Sequence, residues 1–136
     1  SAANTPVELL ESRMPVLVLE KALVADSGGP GRHRGGLGQR IAFRNIGTEP
    51  LTFMFRHERV QHPPRGLLGG APGACGRDLL DGTPIPAKTV GRIDPGSTLV
   101  FDTPGGGGFG PPAERDPAAH AADLAEGLVA DADRPA

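Results

Sequence analysis

The stretch TPGGGGFGPPAERDP contains a formal G-x-G-x-x-G pattern at Gly105, Gly107 and Gly110, the pattern of a dinucleotide-binding loop. Such a loop needs a helix that begins inside the motif, because free backbone N–H groups must face the pyrophosphate. Pro111 and Pro112 lack N–H groups and stand where this helix would begin. No Lys-Ser or Lys-Thr follows, which excludes a P-loop. The glycine run therefore predicts a backbone that needs positive φ or packs closely against another surface.

The histidines and the single cysteine form no recognisable metal or nucleophile pattern. His57 and His62 are five positions apart near a predicted strand end, and only Glu58 lies near them at ligand spacing. Three or four ligands are needed for a protein zinc site, so solvated surface histidines are favoured here. His120 is expected on an exposed helix face, and Cys75 is expected to be a small loop residue. We predict no catalytic, cofactor-binding or metal-ligating residue in this sequence.

Two segments are candidates for contact with a partner molecule. A short basic sequence occupies a glycine-rich turn, where it can bind an anion or a partner or simply be solvated. The glycine run is the second candidate, because it can pack against a partner surface as well as against its own chain. The predicted contact residues are Arg32, His33, Arg34, Gly105, Gly106, Gly107 and Gly108.

Composition and charge exclude several classes of function. The chain has 136 residues, which fits one domain, and a formal net charge of −2. Nucleic-acid and membrane-surface binding both favour a basic face, so neither is expected. No apolar run is long enough for a membrane span, and the first residues do not resemble a secretory signal. With one cysteine, no internal disulfide can form, and we expect a soluble cytoplasmic protein.

Alternating apolar and polar residues predict a β-hairpin near the middle of the chain. In GLGQRIAFRNI, Ile41 and Phe43 share one face, and in LTFMFRHE a second face carries Leu51, Phe53 and Phe55. A period of two is typical of half-buried strands. A turn-rich stretch separates the two segments. We therefore expect them to pair and their phenylalanines to form the centre of the core.

The remaining segments complete a mainly β fold. Further strands are predicted at Val16–Ala25, at Pro84–Ile93 and around Leu99 and Phe101, with a short helical turn at Val7–Ser12. The stretch 61–81 has no period and predicts a long loop that is functional or packed against another surface. Asp116 as N-cap, Pro117 at the first helical position and Gly127 as the stop predict a C-terminal helix.

These elements predict a small β-sandwich or open barrel of about five to seven strands with one C-terminal helix. The expected organisation is an extended lead-in at 1–14, a β domain at 15–104, and a Gly-rich loop, helix and tail at 105–136. Glycine and proline together account for 36 residues (21 and 15), and the aromatics are five phenylalanines. The core is therefore expected to be thin, and the domain is expected to use a neighbour for part of its stability.

Four motifs occur in an order and spacing that resemble one family: NTPVELLE at 4–11, DSGGPGRHRGGLG at 26–38, PPRGLLGGAPG at 63–73 and TPGGGGFGPPAERDP at 103–117. Together they are similar to the C-terminal end of the hydantoinase B/oxoprolinase family, over nearly the whole chain. That family includes N-methylhydantoinase B subunits, the matching half of 5-oxoprolinase and related acetone carboxylase subunits. The GPP segment and the ACG inside the long loop depart from the usual family pattern, which leaves the subfamily open.

The resemblance implies ATP-dependent opening of a cyclic amide such as a hydantoin or 5-oxoproline, or a related carboxylation. An A-type partner subunit would handle ATP and phosphorylate the substrate, and the B-type subunit would complete the reaction, in some members with a divalent metal. Most catalytic and metal-binding residues are expected outside this sequence. The expected role of this segment is structural or in subunit assembly, with the remainder of the B-type subunit and the A-type subunit as partners.

A second reading does not involve an enzyme. The same residues fit a β-rich binding or scaffold module that docks a partner through its Gly-rich loops. Neighbouring genes for the rest of a B-type subunit and for an ATP-binding A-type subunit would favour the enzyme, and an intact gene without them would favour the scaffold.

Overall fold

The computed structural model describes residues 5–130, which form two antiparallel β-sheets, two α-helices and one 3-10 turn. The strands are β1 (Val16–Leu23), β2 (Gln39–Asn45), β3 (Leu51–Arg56), β4 (Arg77–Leu80), β5 (Thr83–Pro84), β6 (Lys88–Ile93) and β7 (Thr98–Asp102). The helices are α1 (Val7–Arg13) and α2 (Pro117–Ala125), and the 3-10 turn covers Pro112–Glu114.

The two sheets enclose the core between them. One sheet has five strands in the order β1-β2-β7-β4-β5, and the other has two, β3 and β6. The buried centre takes Phe55 from β3, Ile93 from β6 and Leu99 from β7, so both sheets contribute to it. The predicted mainly β fold with a C-terminal helix is confirmed, and within residues 5–130 the strands form two packed sheets rather than a closed barrel.

The predicted hairpin between β2 and β3 is wrong. β2 pairs with β1 and β7, whereas β3 pairs with β6 in the opposite sheet. Asn45 explains the crossing, because its fully buried side chain donates hydrogen bonds to the carbonyl groups of Glu49 and Ile93, both at 2.9 Å, and accepts one from the Gly47 N–H group. This residue fixes the turn that carries the chain from one sheet to the other. The phenylalanines still meet, but across the two sheets.

Several elements differ from their predicted bounds. The strand predicted at Pro84–Ile93 is divided into β5 and β6, and the helical turn predicted at Val7–Ser12 extends to Arg13. β4 lies inside the stretch 61–81 that was predicted to be loop, because four residues are too few to show a period. β1 ends at Leu23 rather than Ala25, and a bulge between Val18 and Glu20 shifts its register against β2.

The C-terminal helix begins as predicted. The Asp116 carboxylate accepts a hydrogen bond from the Ala118 N–H group at 3.1 Å, and Pro117 occupies the first turn. Gly127 follows the helix with φ of 69°, which suits a helix stop. The expected apolar face is not buried, however, since Asp123 is the one buried residue of α2.

Candidate functional site

Three glycine-rich segments lie side by side and form what we call the glycine frame: residues 27–38, 65–76 and 103–110. Backbone hydrogen bonds join them. The Gly106 carbonyl accepts a bond from the Gly29 N–H group, and the Gly106 N–H group donates to the Gly36 carbonyl, both at 2.8 Å. The Gly108 N–H group donates to the Ala71 carbonyl at 2.9 Å. The glycine run is thus the central segment of a hydrogen-bonded structure.

The glycines of the run are required by close approach of backbone to backbone. A Cβ at Gly105 would overlap the carbonyl group of Ser27, and a Cβ at Gly107 would overlap that of Arg65. The predicted close packing is confirmed. The prediction of a positive φ within residues 105–108 is wrong, because in this motif only Gly110 has one, at 72°. Glycine is required here because a Cβ would clash with neighbouring backbone, and not because the backbone has a positive φ.

In one segment of the frame, glycine recurs with a period of three residues. Glycines occur at every third position of the segment 70–76, and a Cβ on each would meet the carbonyl oxygens of Gly108, Gly105 and Asp102 in that order. Three residues per turn is the period of the polyproline II conformation, whose backbone makes its hydrogen bonds to other segments. This spacing was the available sequence signal for the frame. A search for the strand period of two or the helix period of 3.6 does not detect this spacing of glycines.

One end of the frame carries exposed apolar residues on fixed backbone. His33 and Phe109 exchange two backbone hydrogen bonds of 2.9 Å, and Leu67 pairs with the other side of Phe109. Leu68 is 70% exposed, Leu67 is 61% exposed and Phe109 is 37% exposed. We call these residues, together with Arg32, the tip. The backbone of Leu68 has φ of 48°, a strained value for a residue with a side chain.

The predicted basic cluster is divided by the structure. Arg32 and His33 are exposed at the tip, and the Arg32 guanidinium makes a long ion pair of 3.7 Å with Glu114. Arg34 instead donates two hydrogen bonds to the Asp123 carboxylate, of 3.1 and 3.2 Å. Partner contact by these residues and by Gly105–Gly108 stays a prediction.

Asp123 ties α2 to the frame. Arg115 binds the same carboxylate as Arg34, and the Asp123 side chain is only 10% exposed. The hydrogen bond from Arg34 is the main reason that the pKa of Asp123 lies below its ordinary value. Because Arg34 lies 89 positions away in the chain, no local pattern could have revealed this pair.

A second carboxylate joins the three strands of the larger sheet that continue directly into the frame, β2, β4 and β7. Asp102, the last residue of β7, accepts hydrogen bonds from Arg40 at 2.7 and 2.9 Å and from Arg77 at 2.8 Å. The hydrogen bond from Arg40 is the largest cause that lowers the pKa of Asp102. The glycine run begins three residues after Asp102, at Gly105, so the cluster fixes where the run leaves the sheet.

The remaining sequence candidates are placed as follows. His62, His120 and Cys75 are exposed, as expected. His57 is not a solvated surface residue, since its Nδ1 atom lies 2.7 Å from Oδ1 of the buried Asp78. Sequence reasoning missed Asp78, which lies in the unrecognised strand β4. Within residues 5–130, no three His, Cys, Asp or Glu side chains are arranged to hold a metal ion, and no helix is long and apolar enough to cross a membrane.

Comparison with known proteins gives a consistent result. The sequence profile described as hydantoinase B/oxoprolinase matches residues 1–112. The chain is 38% identical to 5-oxoprolinase 1 of Arabidopsis thaliana over 113 residues, 78% of this chain and 9% of the relative. It is 34% identical to the caprolactamase subunit beta of Pseudomonas jessenii over 132 residues, 90% of this chain and 22% of the relative.

Two solved structures have the same fold. The crystal structure of ATP-dependent caprolactamase from Pseudomonas jessenii superposes with a TM-score of 0.76 and 28% identity, over 92% of this chain and 23% of that one. Acetone carboxylase in a nucleotide-free structure gives a TM-score of 0.74 at 24% identity, over 93% of this chain and 22% of that one. The chain thus spans less than a quarter of the length of these relatives. The profile match and the level of identity establish that the chain belongs to the hydantoinase B/oxoprolinase family.

Proposed function

We propose that this chain is the C-terminal module of a B-type subunit in an ATP-dependent enzyme that opens a cyclic amide. The relatives named 5-oxoprolinase and caprolactamase subunit beta support a lactam-type substrate. Similarity to acetone carboxylase supports a shared fold alone at 24% identity, so ring opening is preferred over carboxylation. In the complete enzyme, ATP would be bound by an A-type subunit, and any divalent metal by the remainder of the B-type subunit. Dependence on ATP suits a cytoplasmic enzyme.

The role that we assign to this module is subunit assembly, and this assignment rests on the exposed apolar residues of the tip. Soluble chains rarely keep large apolar side chains exposed together, and such patches mark interaction surfaces. Here Leu67, Leu68 and Phe109 project from a backbone that the frame holds in one conformation. A preformed surface loses little conformational entropy when it binds, which favours tight docking.

The partner that we assign to the tip is the remainder of the B-type subunit. The relatives are several times longer than the matched segment, which covers 22% of the caprolactamase subunit beta and 9% of 5-oxoprolinase 1. A module of this size within a longer subunit needs a surface that joins it to the other parts. The exposed Arg32 beside the apolar residues favours an apolar partner surface with an acidic rim.

Copurification with the other subunits tests this role. The tagged chain is coexpressed with the A-type and B-type polypeptides of the same genome, and the Leu68→Asp and Phe109→Asp variants are compared with the parent. We expect each tip variant to bind at least about tenfold more weakly, because a buried charge without a partner is strongly unfavourable. The thermal midpoint of the free chain should not fall in Leu68→Asp, because that side chain is 70% exposed.

Met54→Asp is the matched control, because Met54 is an apolar residue of β3 with similar exposure, 61%. It should bind like the parent. Equal binding by both tip variants and the parent would show that the tip is not the docking surface.

A further inference from the structure

The imidazole of His57 is held in one orientation by contacts on three sides. Its ring stacks on Phe55, with 4.3 Å between centroids and an interplanar angle of 25°, and the ring of Phe101 lies 5.5 Å away. Its Nδ1 atom lies 2.7 Å from Oδ1 of Asp78. Phe55 belongs to the core cluster between the two sheets, and Phe101 packs against that cluster. A histidine that served only to be solvated would not need this degree of fixation.

Asp78 is placed where an apolar residue would ordinarily lie. It is on β4 opposite Phe101, and its side chain is 1% exposed. Among residues 5–130, its Oδ2 atom has no hydrogen-bond partner. A buried carboxylate is costly unless its charge is compensated, and such groups occur often at functional sites. The ring of His57 is the one side chain in the described part of the chain that bonds this carboxylate.

The hydrogen bond determines which nitrogen of His57 is available. When Asp78 is ionised, its carboxylate can only accept, so Nδ1 of His57 then carries the proton and donates it. In the neutral ring, Nε2 is then a proton acceptor. The side chain of His57 is 32% exposed, so one edge of the ring is accessible.

That accessible side chain lines a groove of about 650 Å³. The charged and titratable residues around His57 are Asp78 on β4, Glu58, Arg59 and His62 after β3, Lys88 on β6, and Arg56 and Asp102 beside an adjoining hollow. Lys88 is paired with Glu58 at 2.7 Å. Arg59 has φ of 62°, a strained conformation of the kind that clusters at binding sites. These three cations and three carboxylates balance in charge, but Arg59 lines the groove and makes no ion pair within residues 5–130. Its guanidinium is therefore the group of this groove that can bind an anion.

We propose that this groove is a binding site for a small carboxylate that also carries an N–H or O–H group, and that Nε2 of His57 accepts the hydrogen bond from that group. Asp78 is the positioning residue. If the donor is acidic enough, its proton passes to Nε2, and the carboxylate of Asp78 compensates the imidazolium charge that results. The site is separate from the tip and does not depend on the proposed subunit assembly.

The tautomer is tested first, by nuclear magnetic resonance on the full chain with ¹⁵N-labelled histidine. At neutral pH, His57 should be protonated at Nδ1 and unprotonated at Nε2. Asp78→Asn should remove this preference, whereas His120→Gln, a substitution on the exposed face of α2, should leave the His57 signals unchanged. A parent His57 protonated at Nε2, or an unchanged tautomer in Asp78→Asn, would overturn the proposal.

Two small probes test binding without any mutation. N-acetylglycine carries a carboxylate and one amide N–H, and N-acetylsarcosine differs by a methyl group in place of that hydrogen. N-acetylglycine should shift the Nε2 signal of His57, and N-acetylsarcosine should bind about fivefold more weakly. N-acetylglycine should also bind more weakly to Asp78→Asn. Equal affinity for the two probes, or no shift at saturating concentration, would contradict the site.

Discussion

Gly105, Gly107 and Gly108 are glycines because backbone carbonyl groups occupy the space that their side chains would need. This explains why four consecutive glycines are not a flexible linker. Gly36 lies in the same frame, but nothing is within 4 Å of a Cβ placed on it. The frame therefore contains both a constrained and an unconstrained class of glycine. A comparison between them separates packing from general loss of backbone freedom.

Gly107→Ala should lower the free energy of unfolding by about 1–3 kcal/mol or more, because its methyl group would overlap the carbonyl group of Arg65. Gly36→Ala should change it by less than about 1 kcal/mol and can be slightly stabilising. Urea unfolding of both variants measures this difference. If Gly107→Ala and Gly36→Ala unfold at the same urea concentration, close packing does not explain the run.

The residues that sequence reasoning recovered are those with local signals. Asp116 and Gly127 were recognised because a helix cap and a helix stop depend on their immediate neighbours. Asp78 was missed because His57 lies 21 positions away, and Asp123 was missed because its partners Arg34 and Arg115 lie 89 and eight positions away, beyond the reach of a local pattern. Buried pairs of this kind depend on the tertiary fold, which a single sequence does not show directly.

At the scale of elements, α2 itself is attached through the Asp123 carboxylate rather than through a buried apolar face, and the residues just after it, Leu128 and Ala130, hydrogen-bond to Asp26. Asp123→Ala should therefore weaken the docking of this helix on the frame by about 1.5–3 kcal/mol, since hydrogen bonds to charged groups are lost. Hydrogen exchange of the α2 amides should become faster. Glu126→Ala removes an exposed carboxylate at the end of the same helix and serves as the control. Protection of α2 that is unaltered in Asp123→Ala would contradict this attachment.

The strand predictions likewise recovered only what local sequence signals specify. Alternation located β2 and β3 correctly, but it does not specify which strands pair. The crossing is held by Asn45, whose buried amide bonds the Glu49 carbonyl in the turn and the Ile93 carbonyl of β6 in the other sheet. Sequential strands usually pair, and that tendency misled the prediction here.

For the whole molecule, the two arginine-bound carboxylates predict acid sensitivity. The pKa values of Asp102 and Asp123 are lowered in the folded chain, first by hydrogen bonds from Arg40 and Arg34, respectively. In the unfolded chain they return to about 3.9. A group with a lowered folded pKa stabilises the fold above its unfolded pKa, and this stability is lost as the pH falls through the folded value.

The thermal midpoint should therefore be nearly constant from neutral pH to about pH 5 and should fall below about pH 4. Asp102→Asn should be less stable than the parent at neutral pH, and the difference should shrink in acid. Thermal unfolding at several pH values measures both effects. A difference that grows as the pH falls would show that the sign of this linkage is wrong.

The central claim concerns the whole molecule as part of a larger enzyme. It is tested most directly by ATP-dependent hydrolysis of hydantoin, 5-oxoproline and caprolactam with the A-type and remaining B-type polypeptides, in the presence and absence of this chain. We predict turnover of at least one cyclic amide only when all parts are present, with a stoichiometric requirement for ATP and no activity from this chain alone. Undiminished turnover without the chain would contradict the account and would favour a separate scaffold role.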